Sequence, residues 1–306
     1  MLEKFFLRRP TQDDFRPIID LMMRCDIRDV GFADSDESDL SDEWREMDLQ
    51  RDAWLAIDAQ GEIRGYGAVM ALKEGKRIAV YDDPGTQETD LFTGLLILCE
   101  KRAVNMLREL NDPQKQTLAN FISDSSKYQK DILGEAGYHI KGFIFNMHIA
   151  LQAELPEVKL PAGISIRSVD IKKDSREIHA LIQEAFDWKE RDPQPYEEWE
   201  ERMVHSENRD ESLWFLAIEN DKIIGTCLGV PYTDLGWVRQ LAVLKPYRKM
   251  GIGSALLQNA FHVFKQRGYP KAGLAVESEN EKAYRFYERI GMYKAVHLDE
   301  YIKKVP

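Results

Sequence analysis

The sequence predicts a mixed α/β fold repeated twice in tandem, and three observations predict it. A hairpin phrase occurs twice at a constant offset, strand-like and helix-like runs alternate after it, and both halves close on a helix, a glycine stop and a final strand. Residues 214–230 read WFLAIENDKIIGTCLGV, two apolar β-rich runs around a polar Glu219–Lys222 break, the pattern of an antiparallel hairpin. Residues 54–69 read WLAIDAQGEIRGYGAV, with Leu55, Ala56, Ile57, Ile63 and Val69 each 161 positions before Leu216, Ala217, Ile218, Ile224 and Val230.

Each half opens with a strand and polar turn, Phe6–Asp14 and Ile164–Asp174. A helical stripe follows, Ile18, Leu21, Met22 and Cys25 in the first half and Ile178, Leu181, Ile182 and Ala185 in the second. In the second half Gly236–Val243 reads as a central strand, whose alternation puts Trp237, Arg239, Leu241 and Val243 on one face and Val238, Gln240 and Ala242 on the other. Ile252–Gln266 carries Ile252, Leu256, Ala260 and Phe264 on one stripe with Gly268 at the stop, and Lys271–Glu277 is the next strand. Ser278 and Glu281 form a capping box for a helix that buries Ala283, Phe286, Tyr287 and Ile290.

The closing segments match: Glu135-Ala-Gly-Tyr138 before Phe143–Ile149, and Arg289-Ile-Gly-Met292 before Val296–Ile302. Between them, residues 151–163 hold Pro156 and Pro161 and are too few for a domain, which places two domains at 1–155 and 162–306. At 306 residues, two units each burying a core is the natural division.

The net charge is −11, and the first 150 residues are the acidic part, with 28 acids against 19 bases. Without a dense basic run the chain has little to neutralise phosphate backbones or anionic lipid, which argues against nucleic acid or a membrane as its partner. Cys25, Cys99 and Cys227 show neither disulfide nor metal spacing, and the six histidines lie in no metal motif, so no metal is expected. The longest apolar run, Leu91 to Cys99, is too short to span a bilayer. A reducing cytoplasm fits this composition.

The chemistry-bearing segment is Leu244-Lys-Pro-Tyr-Arg-Lys-Met-Gly-Ile-Gly-Ser254. Gly251 and Gly253 permit close backbone approach where a helix begins, and the unpaired N–H groups there point outward with the positive end of the helix dipole. Such a turn either holds a diphosphate, with Arg248 and Lys249 adding charge, or is a purely structural turn. A Walker A loop is absent, and the third glycine of a dinucleotide fingerprint is Leu256. Ser254 lies in no nucleophile elbow.

The order Gln240-Leu-Ala-Val243, Arg248-Lys-Met-Gly-Ile-Gly253, Glu277-Ser-Glu-Asn280, then Ala283, Tyr287 and Gly291-Met292 closely resembles the GNAT superfamily of N-acyltransferases, over essentially all of 163–306. The resemblance implies acetyl-CoA as acyl donor. It implies that the turn at Arg248, Lys249, Met250, Gly251, Ile252, Gly253 and Ser254 wraps the pyrophosphate, and that the splayed strand end at Leu241, Ala242 and Val243 seats the pantetheine and thioester. It also implies that Asn280, Ala283 and Tyr287 approach the donor. The first half reads Val80-Tyr-Asp-Asp-Pro-Gly-Thr-Gln-Glu-Thr-Asp-Leu-Phe92 where the turn belongs, so four acids would face the phosphates; Leu133 stands for Tyr287 and Ser126 for Asn280. The pair therefore resembles tandem acyltransferases of the mycothiol synthase type, with a degenerate, non-catalytic first copy.

The chemistry expected is acetyl transfer to an amine by direct attack in a ternary complex. The Val243 N–H would stabilise negative charge on the thioester oxygen, and Tyr287 would give a proton to the leaving sulfur. Tyr287 also fits the helix's apolar stripe as a core residue, and Asn280 also fits a helix cap. The strand carries no carboxylate, leaving Glu277, Asp187, Glu184 or a water chain as base. Arg239 or Gln240 either reaches the acceptor or pairs within the protein. Residues 184–211 hold eleven acids against four bases, either a field for a cationic amine or a solvated helix face. A small-molecule amine is the expected acceptor, with a protein or peptide amine, or an acyl-CoA sensor without turnover, as alternatives.

Overall fold

The computed structural model describes residues 2–35, 37–45, 47–86, 89–186, 194–206, 209–277 and 281–305. Two compact units are formed. One is Met1–Phe145 with Glu277–Asn280 and Ala295–Pro306; the other is Asn146–Val276 with Glu281–Lys294.

The first unit contains β1 (Phe6–Arg8), α1 (Phe15–Val30), α2 (Glu37–Arg45), α3 (Leu49–Asp52), β2 (Ala53–Ile57), β3 (Ile63–Leu72), β4 (Gly75–Asp82), α4 (Thr89–Leu110), β5 (Thr117–Ser123), α5 (Lys127–Glu135) and the start of β6 (His139–Ala150). The second contains β7 (Ile164–Ser168), α6 (Ile171–Ala185), α7 (Tyr196–Met203), β8 (Trp214–Glu219), β9 (Lys222–Pro231), β10 (Leu235–Val243), α8 (Ile252–Gln266), β11 (Lys271–Glu277), α9 (Glu281–Arg289) and the first residues of β12 (Tyr293–Lys304).

Chain order and compact unit part company at the closing strands. Leu298–Lys304 of β12 pairs antiparallel with Ser123–Thr117 of β5, so the last strand of the chain completes the first unit's sheet, in the order β1-β2-β3-β4-β5-β12. The second unit's sheet runs β6-β11-β10-β9-β8-β7, closed by residues 146–150. A strand's pairing depends on its edge and pattern rather than on its place in the chain, which is why proximity in sequence does not reveal this exchange.

Both expected helical stripes are buried: Ile18, Leu21, Met22 and Cys25 on α1, and Ile178, Leu181, Ile182 and Ala185 on α6. In the first unit one core joins α4 and α5 to one sheet face through Leu91, Leu95, Cys99 and Leu133. A second joins α1 and α2 to the other through Ile18, Met22, Leu40 and Trp44. The sheet is thus covered on both sides, as parallel pairing requires. Each unit also fastens its first strand to its first helix. Arg8 donates to both oxygens of Asp14 at 2.6 Å, and Arg167 does the same to Asp174 at 2.6 and 2.9 Å.

Both hairpins form, each with a register shift at the same place, Ala56/Ile57 and Ala217/Ile218. The offset of 161 is not constant through them. Leu55 and Leu216 pair with Tyr66 and Thr226, so the returning strands are related by 160. The reason is the turn: Asn220 and Asp221, with φ of 47° and 64°, make a tight two-residue connection, one residue shorter than in the first half. A bulge in β10 between Val238 and Gln240 restores the offset, so that Val243 pairs with Gly225 as Asp82 pairs with Gly65.

That bulge also corrects the alternation expected for this strand. A side chain at position 236 would run into the Phe264 ring of α8, yet Val243 also faces α8, beside Gly253 and Leu256 at its start. Even positions face this helix before the bulge and odd ones after it, because the extra residue shifts the pleat by one. Trp237 and Val243 therefore do not share a face.

Candidate active site

In the second unit β10 and β11 are parallel neighbours only over Leu235–Trp237 and Lys271–Gly273, although β10 continues to Val243 and β11 to Glu277. Beyond Trp237 they diverge, leaving one edge of β10 without a strand partner at Leu241, Ala242 and Val243. The Leu244 N–H donates to Ile224 O of β9 at 3.0 Å. Peptide groups alternate edges along a strand, so the Val243 N–H is directed to the open edge.

The chain then turns through Lys245–Tyr247 into residues 248–251. Tyr247 donates from its hydroxyl to Glu219 Oε2 at 2.9 Å, pinning the turn to the hairpin. Arg248 Nε donates to Val243 O at 3.1 Å, and Nη2 donates to Ala185 O at the end of α6. Lys249 and Gly251 both have positive φ, 65° and 86°, and Lys249, Met250 and Gly251 are exposed. Gly251 caps α8 without any side-chain bond, and the first intrahelical bond to it comes from Ala255 N at 3.0 Å. The N–H groups of Ile252, Gly253 and Ser254 thus precede the helical ladder and can serve an anion. The Ile252 side chain is buried in the core, whereas Gly253 and Ser254 are half-buried. A Cβ at Gly253 would stand 3.6 Å from Phe286 of α9 and 3.7 Å from Val243, so strand end, helix start and α9 converge here.

Tyr287 and Ala283 lie on α9, both half-buried. Burial, with a smaller contribution from the Cys227 sulfur, pushes the Tyr287 phenol up to about 12. Cys227 itself pairs with Leu241 across β9 and β10, which places Tyr287 at the level of the open edge. Asn280 and Asp187, together with the Ser278 half of the expected capping box, lie outside the described residues. Glu184 and Glu277 are exposed.

On the α6–α7 side, the buried Trp199 donates from Nε1 to Gln240 Oε1 at 3.1 Å, so Gln240 is held within the protein. The His179 ring packs 5.6 Å from Tyr196 and 5.7 Å from Trp199, and Tyr196 donates to Glu200 at 2.7 Å. Sequence reasoning missed this aromatic wall. Its signal was a tryptophan flanked by two pairs of glutamates at 197–201.

The first unit keeps the divergence but not the turn. β4 and β5 pair only over Gly75–Arg77 and Thr117–Ala119, and β3 and β4 run in unbroken register without a bulge. Asp82, the counterpart of Val243, is buried in this opening. It accepts from Tyr128 at 2.5 Å, Gln129 at 3.0 Å and Arg28 at 3.1 Å, and Arg28 also donates to the Asp82 carbonyl at 2.9 Å. Asp83 pairs with Arg24 and Arg64, each at 3.1 Å. Two of the four acids expected to face phosphates are therefore turned inward and paired, since burying a carboxylate demands such partners. Asp124, His297 and Asp299 also lie within ligating reach of one another, with Lys130 Nζ 3.0 and 3.2 Å from the two carboxylates supplying the positive charge. No helix among the described residues is long and apolar enough to cross a membrane.

Residues 175–292 match the model of the acetyltransferase (GNAT) family. N-alpha-acetyltransferase 30 of Schizosaccharomyces pombe is 36% identical over 92 residues, 28% of this chain and 61% of that protein. Mycothiol acetyltransferase of Rhodococcus erythropolis is 27% identical over 157 residues, 48% of this chain and 52% of that protein. The chain thus spans between half and two thirds of the length of these relatives. The crystal structure of a GCN5-related N-acetyltransferase from Sphaerobacter thermophilus superposes with a TM-score of 0.86 at 28% identity, covering 99% of this chain and 96% of that one. What these comparisons establish is a domain at residues 175–292 that matches the acetyltransferase (GNAT) family.

Proposed function

We propose that residues 162–306 transfer an acetyl group from acetyl-CoA to an amine by direct attack in a ternary complex, and that residues 1–155 take no direct part in the chemistry. The observation that carries this reading is the meeting of an open strand edge at 238–243 with an uncapped glycine helix start at 251–254. The residues present fit the donor: exposed main chain at 249–251 and N–H groups at 252–254 suit a diphosphate, with Arg248 and Lys249 adding charge, while Leu241, Ala242 and Val243 offer an unpaired edge to an amide-bearing arm.

Acetyl-CoA supplies an activated acyl thioester. The Val243 N–H, held on the open edge, donates to an oxygen on which negative charge grows. Tyr287 keeps its proton well past neutral pH because burial disfavours the phenolate, so its hydroxyl is a donor for a departing thiolate. Ala283, on the same α9 face region, and Asn280 belong to the donor's wall in this reading. With no carboxylate on β10, the acceptor's proton leaves through solvent or through Glu184, Glu277 or Asp187.

The acceptor proposed is a small-molecule amine, and three buried free cysteines suit a reducing, cytoplasmic setting. A peptide N-terminus is the second reading, favoured by the similarity to N-alpha-acetyltransferase 30. Thiol release from acetyl-CoA, measured with a panel of small primary amines and with short peptides bearing free N-termini, tests both. Turnover with the amines supports the first and with the peptides the second, and no thiol release with either overturns catalysis.

A further inference from the structure

The first unit, although it lacks the glycine turn, carries a part-open cleft of about 260 Å³ on the α1–α2 side of its sheet, between these helices and β4, β5 and β12. At about 30 Å³ per water this is room for roughly nine waters, or a compact organic molecule. The lining combines apolar side chains, among them Met22, Ile78 and Phe121, with a charged group. Asp26, Asp29, Asp34 and Glu43 face two cations, Arg28 and Arg77.

The cations are largely spoken for. Arg28 is bound to Asp29 at 2.7 Å and to Asp82. Arg77 lies 3.5 Å from Glu43 and 5.6 Å from the Phe121 ring. Asp26 accepts the backbone N–H groups of Asp34 and Ser35 at 3.0 and 2.7 Å but has no cationic partner among the described residues. Glu43 Oε2 and Arg77 Nε, both fully buried atoms, find no hydrogen-bond partner among the described residues. Burial pushes the carboxyls of Asp26 and Glu43 up, opposed at Asp26 by the hydrogen bonds from Ser35 and Asp34 and at Glu43 by the charge of Arg77.

Glu43 Oε2 and Arg77 Nε are thus two unpaired polar atoms at this cleft, and each is costly to bury. A guest that is cationic and also carries a neutral hydrogen-bonding group answers both deficits: its ammonium meets Asp26 and Glu43, and its acceptor meets Arg77 Nε. We infer that the first unit is a binding site for a small hydrophilic ammonium compound, seated over β4 and β5 against Asp26, Glu43 and Arg77. This site is separate from the acetyl-transfer reading, since it uses only first-unit residues and stands whether or not the second unit turns over.

The test is calorimetric titration of the full chain with two matched pairs that differ chiefly in charge: glucosamine against glucose, and 1,4-diaminobutane against 1,4-butanediol. At least one amine is expected to bind at least tenfold more tightly than its uncharged partner, and Glu43→Gln and Asp26→Asn are each expected to weaken that binding at least tenfold. Trp199→Phe, in the second unit, is expected to leave it unchanged, which separates this site from an acceptor site there. Amine and diol binding alike, neither amine binding, or binding indifferent to both first-unit substitutions overturns the inference. Should Asp26→Asn fail to fold, Glu43→Gln with the charge pairs on the unmodified chain decides the matter.

Discussion

Arg248 Nε donates to the carbonyl oxygen of Val243 at 3.1 Å, so the first side chain of the glycine turn clamps the end of β10 rather than reaching freely into solvent. The peptide group joining Val243 to Leu244 is thereby held from both edges, by Arg248 on one side and by Ile224 on the other. A strand end fixed in this way keeps the neighbouring Val243 N–H aimed at the open edge, at no cost at the moment of reaction.

On the proposed mechanism, Arg248 positions the strand end as well as adding charge. Replacement by Lys keeps the charge but not the planar fork, and is expected to hold the donor KM within about threefold while lowering kcat about tenfold. Arg248→Ala should raise the donor KM about tenfold as well. Steady-state kinetics at varied acetyl-CoA read the split; equal behaviour of Lys and Arg would leave the side chain as charge alone.

Tyr287→Phe is expected to lower kcat by about 10²–10⁴ with the donor KM little changed, since the ring still packs. The pH dependence follows from the phenol at about 12. An acid must carry its proton, and this one loses it only as pH rises through that value. The kcat profile should show no alkaline decline from this group below about pH 10, and an earlier decline that disappears in the Phe variant would contradict the burial.

Gly251 and Gly31 both adopt left-handed φ, 86° and 88°, with open space where a side chain would stand. Valine at either position should cost about 1–2 kcal/mol in denaturant unfolding, because the conformation opposes a Cβ. Only Gly251→Val should also abolish acetyl-CoA binding measured by calorimetry, since only there would the side chain keep a ligand from the main chain.

Asp174 is held below the ordinary carboxylate range by the hydrogen bonds from Arg167, opposed in part by burial. Its folded value lies below its unfolded one, so its contribution is fully present above about pH 4 and is lost as pH falls through the folded value. Urea midpoints measured from pH 7 down to pH 2.5 should fall in this acid range, and Asp174→Asn should start lower and flatten that part of the curve. An unchanged slope would assign the acid sensitivity elsewhere.

Much of the fold was legible because it rests on local pattern. The stripes of α1 and α6 bury the residues their spacing indicates, and Ile252–Gln266 and Lys271–Glu277 form over those very limits. The strand alternation of β10 was not legible, because a bulge is one extra residue that only pairing with β9 exposes. Gln240 illustrates the consequence: its partner Trp199 lies 41 residues away, beyond any periodicity.

By itself the sequence determined the repeat, the hairpins and the glycine turn at 251–253, since each follows from short-range backbone preference and the burial of apolar faces. Tertiary structure alone decided three further matters. It passed the last strand of the chain to the first unit's sheet, set Asp82 as a buried plug where Val243 leaves an opening, and left a part-open cleft beside Glu43 and Arg77. Each depends on which distant groups meet in a place without water, where a carboxylate must find a partner and a strand edge must find another strand.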